Sequence, residues 1–300
     1  MTKPEIQRLE EPPEIGESVT GVLIDGSITF SMGLPERAEM AFTIPTPAGE
    51  SPPFYLLRHN GAPFWYVHFH GVDFMTASAN VEVGFTRTWF TIYHLGIREV
   101  ISGAAAGGMD PKMRPGDLVI ADDFFDFSTS RPRSMLTEIW ERLPWIGASY
   151  VPPMCPDLTG SLREGGKSYQ PGQVFESATI AQFEGHRFES PAEIRRARAA
   201  GGDVVHHHQA SEAIYARELG VCYGALNYVS NIAAGMASDW DESWLSQDET
   251  AQINTQCYEL MVSTLIWAGG REGRCAVCSV PEDQPVEIRP EHVLMKPRFR

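Results

Sequence analysis

"SPAEIRRARAAGGDVVHHHQASEAIYARELGVCYGALNYVSN", residues 190–231, carries helix and strand signals in alternation. Ser190 is a helix cap, Pro191 suits the first helical position, and Gly201 and Gly202 follow the last turn. "DVVHHH" then reads as a short strand, "SEAIYARELG" as a second helix and "VCYGALNYVSN" as another strand. This alternation predicts an α/β fold: a single domain with a mixed, mostly parallel central sheet flanked by helices. Ligands of such sheets bind outside the carboxyl ends of the strands, so functional side chains are sought just after each strand.

Upstream, "VTGVLIDGS" (19–27) is an apolar strand ending in a glycine turn. "FYLLRHNGAPFWYVHFHG" (54–71) predicts two strands hinged at Asn60-Gly61. Apolar and aromatic residues recur at helical spacing from Asn80 to Leu95, and "LGIREVISGAAAGGMDP" follows as a helix stop, a strand and a small-residue loop over 104–108. "GDLVIADDFFDF" (116–127) reads as one strand and "DETAQINTQCYELMVSTLIWAGG" (248–270) as a long amphipathic helix. The expected organisation is an N-terminal arm over 1–18, one domain over 19–270 and an extended tail over 271–300 punctuated by Pro281, Pro285, Pro290 and Pro297.

The net charge of -15 argues against a nucleic-acid partner, because phosphate backbones are held by clustered Lys and Arg. There is no 18-residue apolar run to span a bilayer and no charged-then-apolar leader, so no membrane is expected and a cytoplasmic protein acting on a small molecule is. Five scattered cysteines (Cys155, Cys222, Cys257, Cys275, Cys278) are not a secreted disulfide framework. Cys275 and Cys278 form a CxxC without a second pair, which argues against zinc and leaves a free dithiol or a local disulfide.

Three consecutive histidines, His206 to His208, are internal and so not a tag. If the run is extended, His206 and His208 share one face, too few ligands for a closed metal site, and no metal is expected there. Polar residues at a strand end and a rebuilt active site both remain open.

The motif series resembles the trimeric purine nucleoside phosphorylase and methylthioadenosine phosphorylase family from about Val19 to Ala268. "AAAGGMDPKMRPGDLVI" (104–120) is similar to its small-residue stretch and PGD strand. "STSRPRSM" (128–135) and "PMCPDL" (153–158) resemble its methylthioadenosine branch. "EGHRFESPAEI" (184–194), the histidine-bearing stretch 201–223 and "SNIAAGM" (230–236) follow in the same order, the last resembling the nucleoside phosphorylases. The resemblance implies phosphorolysis of a purine nucleoside, with a 6-oxopurine favoured, as in purine salvage. It also implies phosphate as co-substrate, no cofactor, and a homotrimer or dimer of trimers in which a neighbour closes each site near 152–155.

Cleaving an N-glycosidic bond builds positive charge on the sugar and negative charge on the departing purine. By resemblance, Asn231 hydrogen-bonds N7 and O6, Glu189 meets N1–H, and Phe188 stacks on the ring. Trp240 falls where the family covers the sugar's 5′ end, and His207 where it packs under the ribose. The anion side falls on Ser27, the amides of Ala106 and Gly107, His70 and His208. Here the sequence departs from the family: Phe69 replaces the arginine before His70, Asp25 adds a carboxylate, and His208 replaces a hydroxyl residue. Two readings follow. His70 and His208 hold phosphate as imidazolium donors, or a histidine activates water and the protein is a nucleoside hydrolase, towards which Asp25 and Phe69 tilt the physics. A noncatalytic nucleoside-binding protein is the third.

Overall fold

The turn at Asn60-Gly61 needs two consecutive left-handed residues, and Asn and Gly are the pair that accept them: φ is 51° and 84°. It joins two strands in register from Phe54↔Val67 to His59↔Ala62. In the computed structural model the described residues are 3–25, 27–68, 81–135, 150–185, 187–237, 244–273 and 275–278, with side chains described from residue 85 in the segment that starts at 81.

In chain order the strands are β1 (Ile6–Arg8), β2 (Val22–Asp25), β3 (Met40–Thr43), β4 (Pro45–Thr46), β5 (Gly49–Glu50), β6 (Phe54–His59), β7 (Ala62–His68), β8 (Glu99–Gly108), β9 (Leu118–Ala121), β10 (Asp123–Asp126), β11 (Val174–Phe175), β12 (Thr179–Gln182), β13 (Val204–His206) and β14 (Cys222–Ile232). The helices are α1 (Val81–His94), α2 (Pro156–Gly166), α3 (Pro191–Ala199), α4 (Gln209–Glu218) and α5 (Gln247–Gly269). Ser190 and Ser246 each close a capping box with the glutamate three residues on, Glu193 and Glu249, which sets where α3 and α5 begin.

Apart from the β4–β5 pair, the described strands form one mixed, mostly parallel sheet, ordered β1-β3-β6-β7-β2-β8-β13-β12-β10, with β14 beside β8, β9 beside β14 and β11 beside β9. Both faces are buried. Val22, Ile24, Val100 and Ala225 point into a core shared with Phe85 and Trp89 of α1 and Ala213 and Tyr215 of α4. Their strand neighbours Leu23, Ile101 and Leu226 point the other way, against Leu158 and Leu162 of α2 and Met261 and Leu265 of α5. That is why these strands read as unbroken apolar runs. No helix among the described residues is long and apolar enough to cross a membrane.

The details differ from the sequence reading at several points. The small-residue stretch 104–108 is not a loop but the second half of β8, since β14 pairs with it as far as Ile232↔Gly108. The run 116–127 is two strands, β9 on β14 and β10 on β12, because the chain steps from one strand neighbour to another at Asp122. Helix α2 went unread, and the N-terminal arm contributes β1, parallel to β3. The tail is described only to residue 278, where Cys275 and Cys278 are buried; the prolines from 281 onward lie outside the described residues.

Candidate active site

The long strand β8 has a different neighbour along each half of one edge. Its first half pairs with parallel β2 up to Asp25↔Gly103, and its last residues with antiparallel β13, Val205↔Gly107 and Val204↔Gly108. Between these ladders, at residues 104–106, the two partner strands part and their ends converge. A crevice where strand partners change is the place for a ligand in an open α/β sheet.

The turn after β2 closes onto this gap. Ser27 Oγ accepts the N–H of Ala105 at 2.7 Å, which ties the first turn to the middle of β8. Asp25 does not line the gap as the sequence suggested. It is buried, and Oδ2 accepts both the N–H and the hydroxyl of Thr29 at 2.6 Å while Oδ1 faces the N–H of Ile28 at 3.4 Å. Burial pushes its pKa up to about 6, while the Thr29 and Ile28 bonds and the nearby His208 pull the other way. Its carboxylate is therefore committed to its own turn.

On the opposite lip stand the histidines. His206 ends β13 and is buried; burial, then His208 and His207, hold its pKa well below the usual range, so it is neutral. Its Nδ1 accepts the N–H of His208 at 3.4 Å. His208 is the residue before α4, with its ring 4.9 Å from that of His206, so these two share a face as the alternation predicted. Behind it lies fully buried Glu212, whose Oε1 is 3.3 Å from His208 Nδ1 and whose Oε2 accepts the hydroxyl of Tyr223 at 2.6 Å. A carboxylate behind an imidazole orients the ring. The half-buried His207 sets its ring edge-on to that of His208 at 5.7 Å and lies against Gly185: a Cβ on that glycine would lie 3.3 Å from the ring.

The residues expected on the base side are joined to the same gap by strand register. Asn231 lies opposite Gly107 across a bulge in β14, and Gly107 lies opposite Val205 of β13, so Asn231 and the histidine strand are two strand spacings apart, ~10 Å. Asn231 is buried, its Nδ2 donating to Ile232 O at 3.1 Å and its Oδ1 accepting the Ser230 hydroxyl at 2.8 Å. Its backbone bridges to Trp244, whose ring meets Phe188 edge-on at 5.7 Å. Pro191 abuts Gly235, where a Cβ would come within 2.6 Å. Thus Gly185 lies against His207 and Pro191 against the residues after β14, with Phe188 and Glu189 a few residues before Pro191 in sequence. Phe188 is largely exposed and Glu189 half-buried, with burial raising the latter's pKa. His70 and Trp240 lie outside the described residues. Ala106 and Gly107 are strand residues within β8, flanked by β14 and, at Gly107, by β13.

Several residues that organise the site escaped the sequence reading. Gln209 is buried and ties the start of α4 to the sheet, donating to Ser102 O at 3.1 Å and accepting from Asn227 Nδ2 at 2.9 Å. Ser211 is gripped by Gln182, which accepts its N–H at 3.0 Å and donates to its Oγ at 2.7 Å. Arg131 is buried beside Phe85, donates to Glu184 O at 2.6 Å, and has no hydrogen-bond partner for Nε and Nη1 among the described residues. It lies within range of the Glu184, Asp126 and Glu212 charges and of His206. Spacing alone signals none of these, though buried Gln and Arg beside apolar helices are marks worth reading.

Comparison with known proteins agrees with this architecture. The phosphorylase superfamily profile matches residues 67–266. A 6-oxopurine nucleoside phosphorylase of Pyrococcus furiosus is 39% identical over 163 residues, 52% of this chain and 60% of that protein, so the matched stretch spans about three fifths of the relative. A probable S-methyl-5'-thioinosine phosphorylase of Methanothermobacter thermautotrophicus is 30% identical over 77% of this chain and 76% of its own length. Among solved structures, a methylthioadenosine phosphorylase from an antarctic soil metagenomic library superposes with a TM-score of 0.74 at 21% identity, covering 92% of this chain and 96% of that one.

Proposed function

The chain belongs to the phosphorylase superfamily, and from that premise we propose that it cleaves the N-glycosidic bond of a 6-oxopurine nucleoside by phosphorolysis. The observation that carries the reading is the convergence on one gap in the sheet of an anion-side pair, Ser27 and His208, with a base-side pair, Asn231 and Phe188. The names of the relatives point to the same base class.

Phosphate would enter where β2 and β13 part. Ser27 Oγ accepts from Ala105, so its own O–H can donate to the anion, and His208 backed by Glu212 supplies a second donor. A phosphate oxygen bonds to C1′ as the C1′–N9 bond breaks, and the electron pair moves onto the purine. Asn231, rotated from Ile232 O, donates to N7 and stabilises that charge. Glu189, whose burial disfavours the bare carboxylate, regains hydrogen bonds from the N1–H edge. The sequence's reason to favour hydrolysis weakens, because the Asp25 carboxylate is turned into its own turn and does not face the anion.

Oligomerisation as a trimer belongs to the same reading. Val151 is 85% exposed beside Pro152 and Pro153, whose carbonyls Arg217 holds, a rigid apolar knob suited to a neighbour. Light scattering after gel filtration tests this; a monomer at working concentration would remove that part.

The decisive assay incubates inosine, guanosine and methylthioadenosine with and without phosphate and identifies the sugar product. Sugar-1-phosphate formed only with phosphate is the expected result. Free sugar at an undiminished rate without phosphate would replace the proposal by hydrolysis, and no base release from any nucleoside would leave only binding.

A further inference from the structure

Far from that gap, at the opposite end of β14, four cysteines meet. Cys155 precedes α2, Cys222 opens β14, and Cys275 and Cys278 follow α5; all four are buried, and their Sγ atoms lie within 4.8 Å of one another. A tetrahedral zinc with Zn–S bonds near 2.3 Å places its sulfurs ~3.8 Å apart, so small side-chain rotations bring four thiolates onto one ion. The CxxC pair seemed to lack a second pair in the sequence, since its partners stand 53 or more residues upstream, at Cys222 and Cys155, brought in by the fold.

We propose that Cys155, Cys222, Cys275 and Cys278 form a structural zinc site that fastens the chain after α5 to the sheet.

Four observations support it. First, the set is sulfur only, and a closed four-sulfur site selects zinc over hard cations and leaves no position open for catalysis. Second, the surroundings suit an anionic centre. Cys155 sits at the N-terminus of α2, the end of a helix whose dipole favours negative charge. Arg271 donates to Cys222 Sγ at 3.9 Å and is itself held by Asp157 and, at 3.7 Å, by Glu99, an outer shell of the kind metal sites carry. Third, the backbone around the cluster is fixed by other means: Cys155 N–H donates to Tyr223 O at 2.9 Å, and Arg217 donates to both Val277 O and Pro152 O at 2.7 Å. Fourth, none of the four is in a disulfide. Binding zinc would displace the thiol protons to solvent, with no change of oxidation state.

Cys222 and Asn231 are nine residues apart on one strand, ~30 Å, so the ion acts on the fold and not on the reaction. The test uses the full chain without a histidine tag, purified under reducing conditions. Plasma mass spectrometry should find about one zinc per chain, and cobalt exchange should give the intense visible bands of tetrahedral thiolate coordination. A mercurial titration of the wild type should release zinc after about four thiols have reacted. Cys278→Ser and Cys155→Ser should each lose at least about tenfold in zinc occupancy, whereas a variant with His206, His207 and His208 all replaced by Asn should keep its zinc. The wild-type release and cobalt spectrum still decide if the serine variants do not fold. A metal-free wild type after reconstitution with zinc, a disulfide among the four by intact mass, or zinc retained by both serine variants would each overturn the site. Nucleoside turnover does not enter any of these readouts, so they are independent of the proposed activity.

Discussion

Asp25 is an acid that the fold keeps buried beneath its own turn, and this makes stability depend on pH in an unusual direction. Its pKa is raised from an ordinary 3.8 to about 6, chiefly by loss of water. At 1.36 kcal/mol per pH unit, the gap of about 2.2 amounts to about 3 kcal/mol against the ionised carboxylate. Between pH 3.8 and 6 the native state binds more protons than the unfolded chain, so this contribution lowers stability as pH rises through that window. It is fully present above the folded value and absent below the unfolded one. Asp25→Asn keeps an oxygen to accept from Thr29 and removes the ionisation. Urea unfolding of both proteins at pH 4 and pH 7 should show the stability difference shifting towards the variant by about 2 kcal/mol, other carboxylates cancelling in the comparison. A flat difference, or one shifting towards the wild type as pH rises, would refute the account of Asp25 as a desolvated acid.

Further outcomes follow from the same geometry. Glu212→Gln removes the carboxylate 3.3 Å behind His208, so KM for phosphate should rise about tenfold, ~1.4 kcal/mol, with less change in kcat; an unchanged KM would show that the pair does not serve the anion. Asn231→Ala should lower turnover at least about tenfold by losing a donor to the departing purine, and steady-state rates on inosine near wild type would exclude that role. Gly103→Ala would put a Cβ 2.6 Å from Met261 Sδ and 2.8 Å from Asp25 Oδ1, so denaturant unfolding should show a loss of about 1–3 kcal/mol; no loss would mean that the turn after β2 is free to yield.

Much of the fold is local in origin. The Ser190 and Ser246 boxes, the Asn60-Gly61 turn and the apolar runs of β2, β8 and β14 declare helix and strand within a few residues, because capping, turn handedness and periodicity are short-range physics. Those signals were enough to read a mostly parallel sheet and the strand ends where a ligand belongs. The stretch 104–108 was misread because small residues look like a loop until a strand such as β14 pairs with them. Short strands such as β11 were missed for the same reason: they exist only through their neighbours.

The histidine run shows the limit most clearly. Its letters establish a polar strand end, but that His206 is neutral, that Glu212 stands behind His208 and that His207 leans on Gly185 depend on burial and on residues from other elements. The meeting of Cys155 and Cys222 with Cys275 and Cys278 is likewise a product of chain crossing. Spacing along the chain determined which elements form; distances between elements, and the water they exclude, decided what the side chains can do.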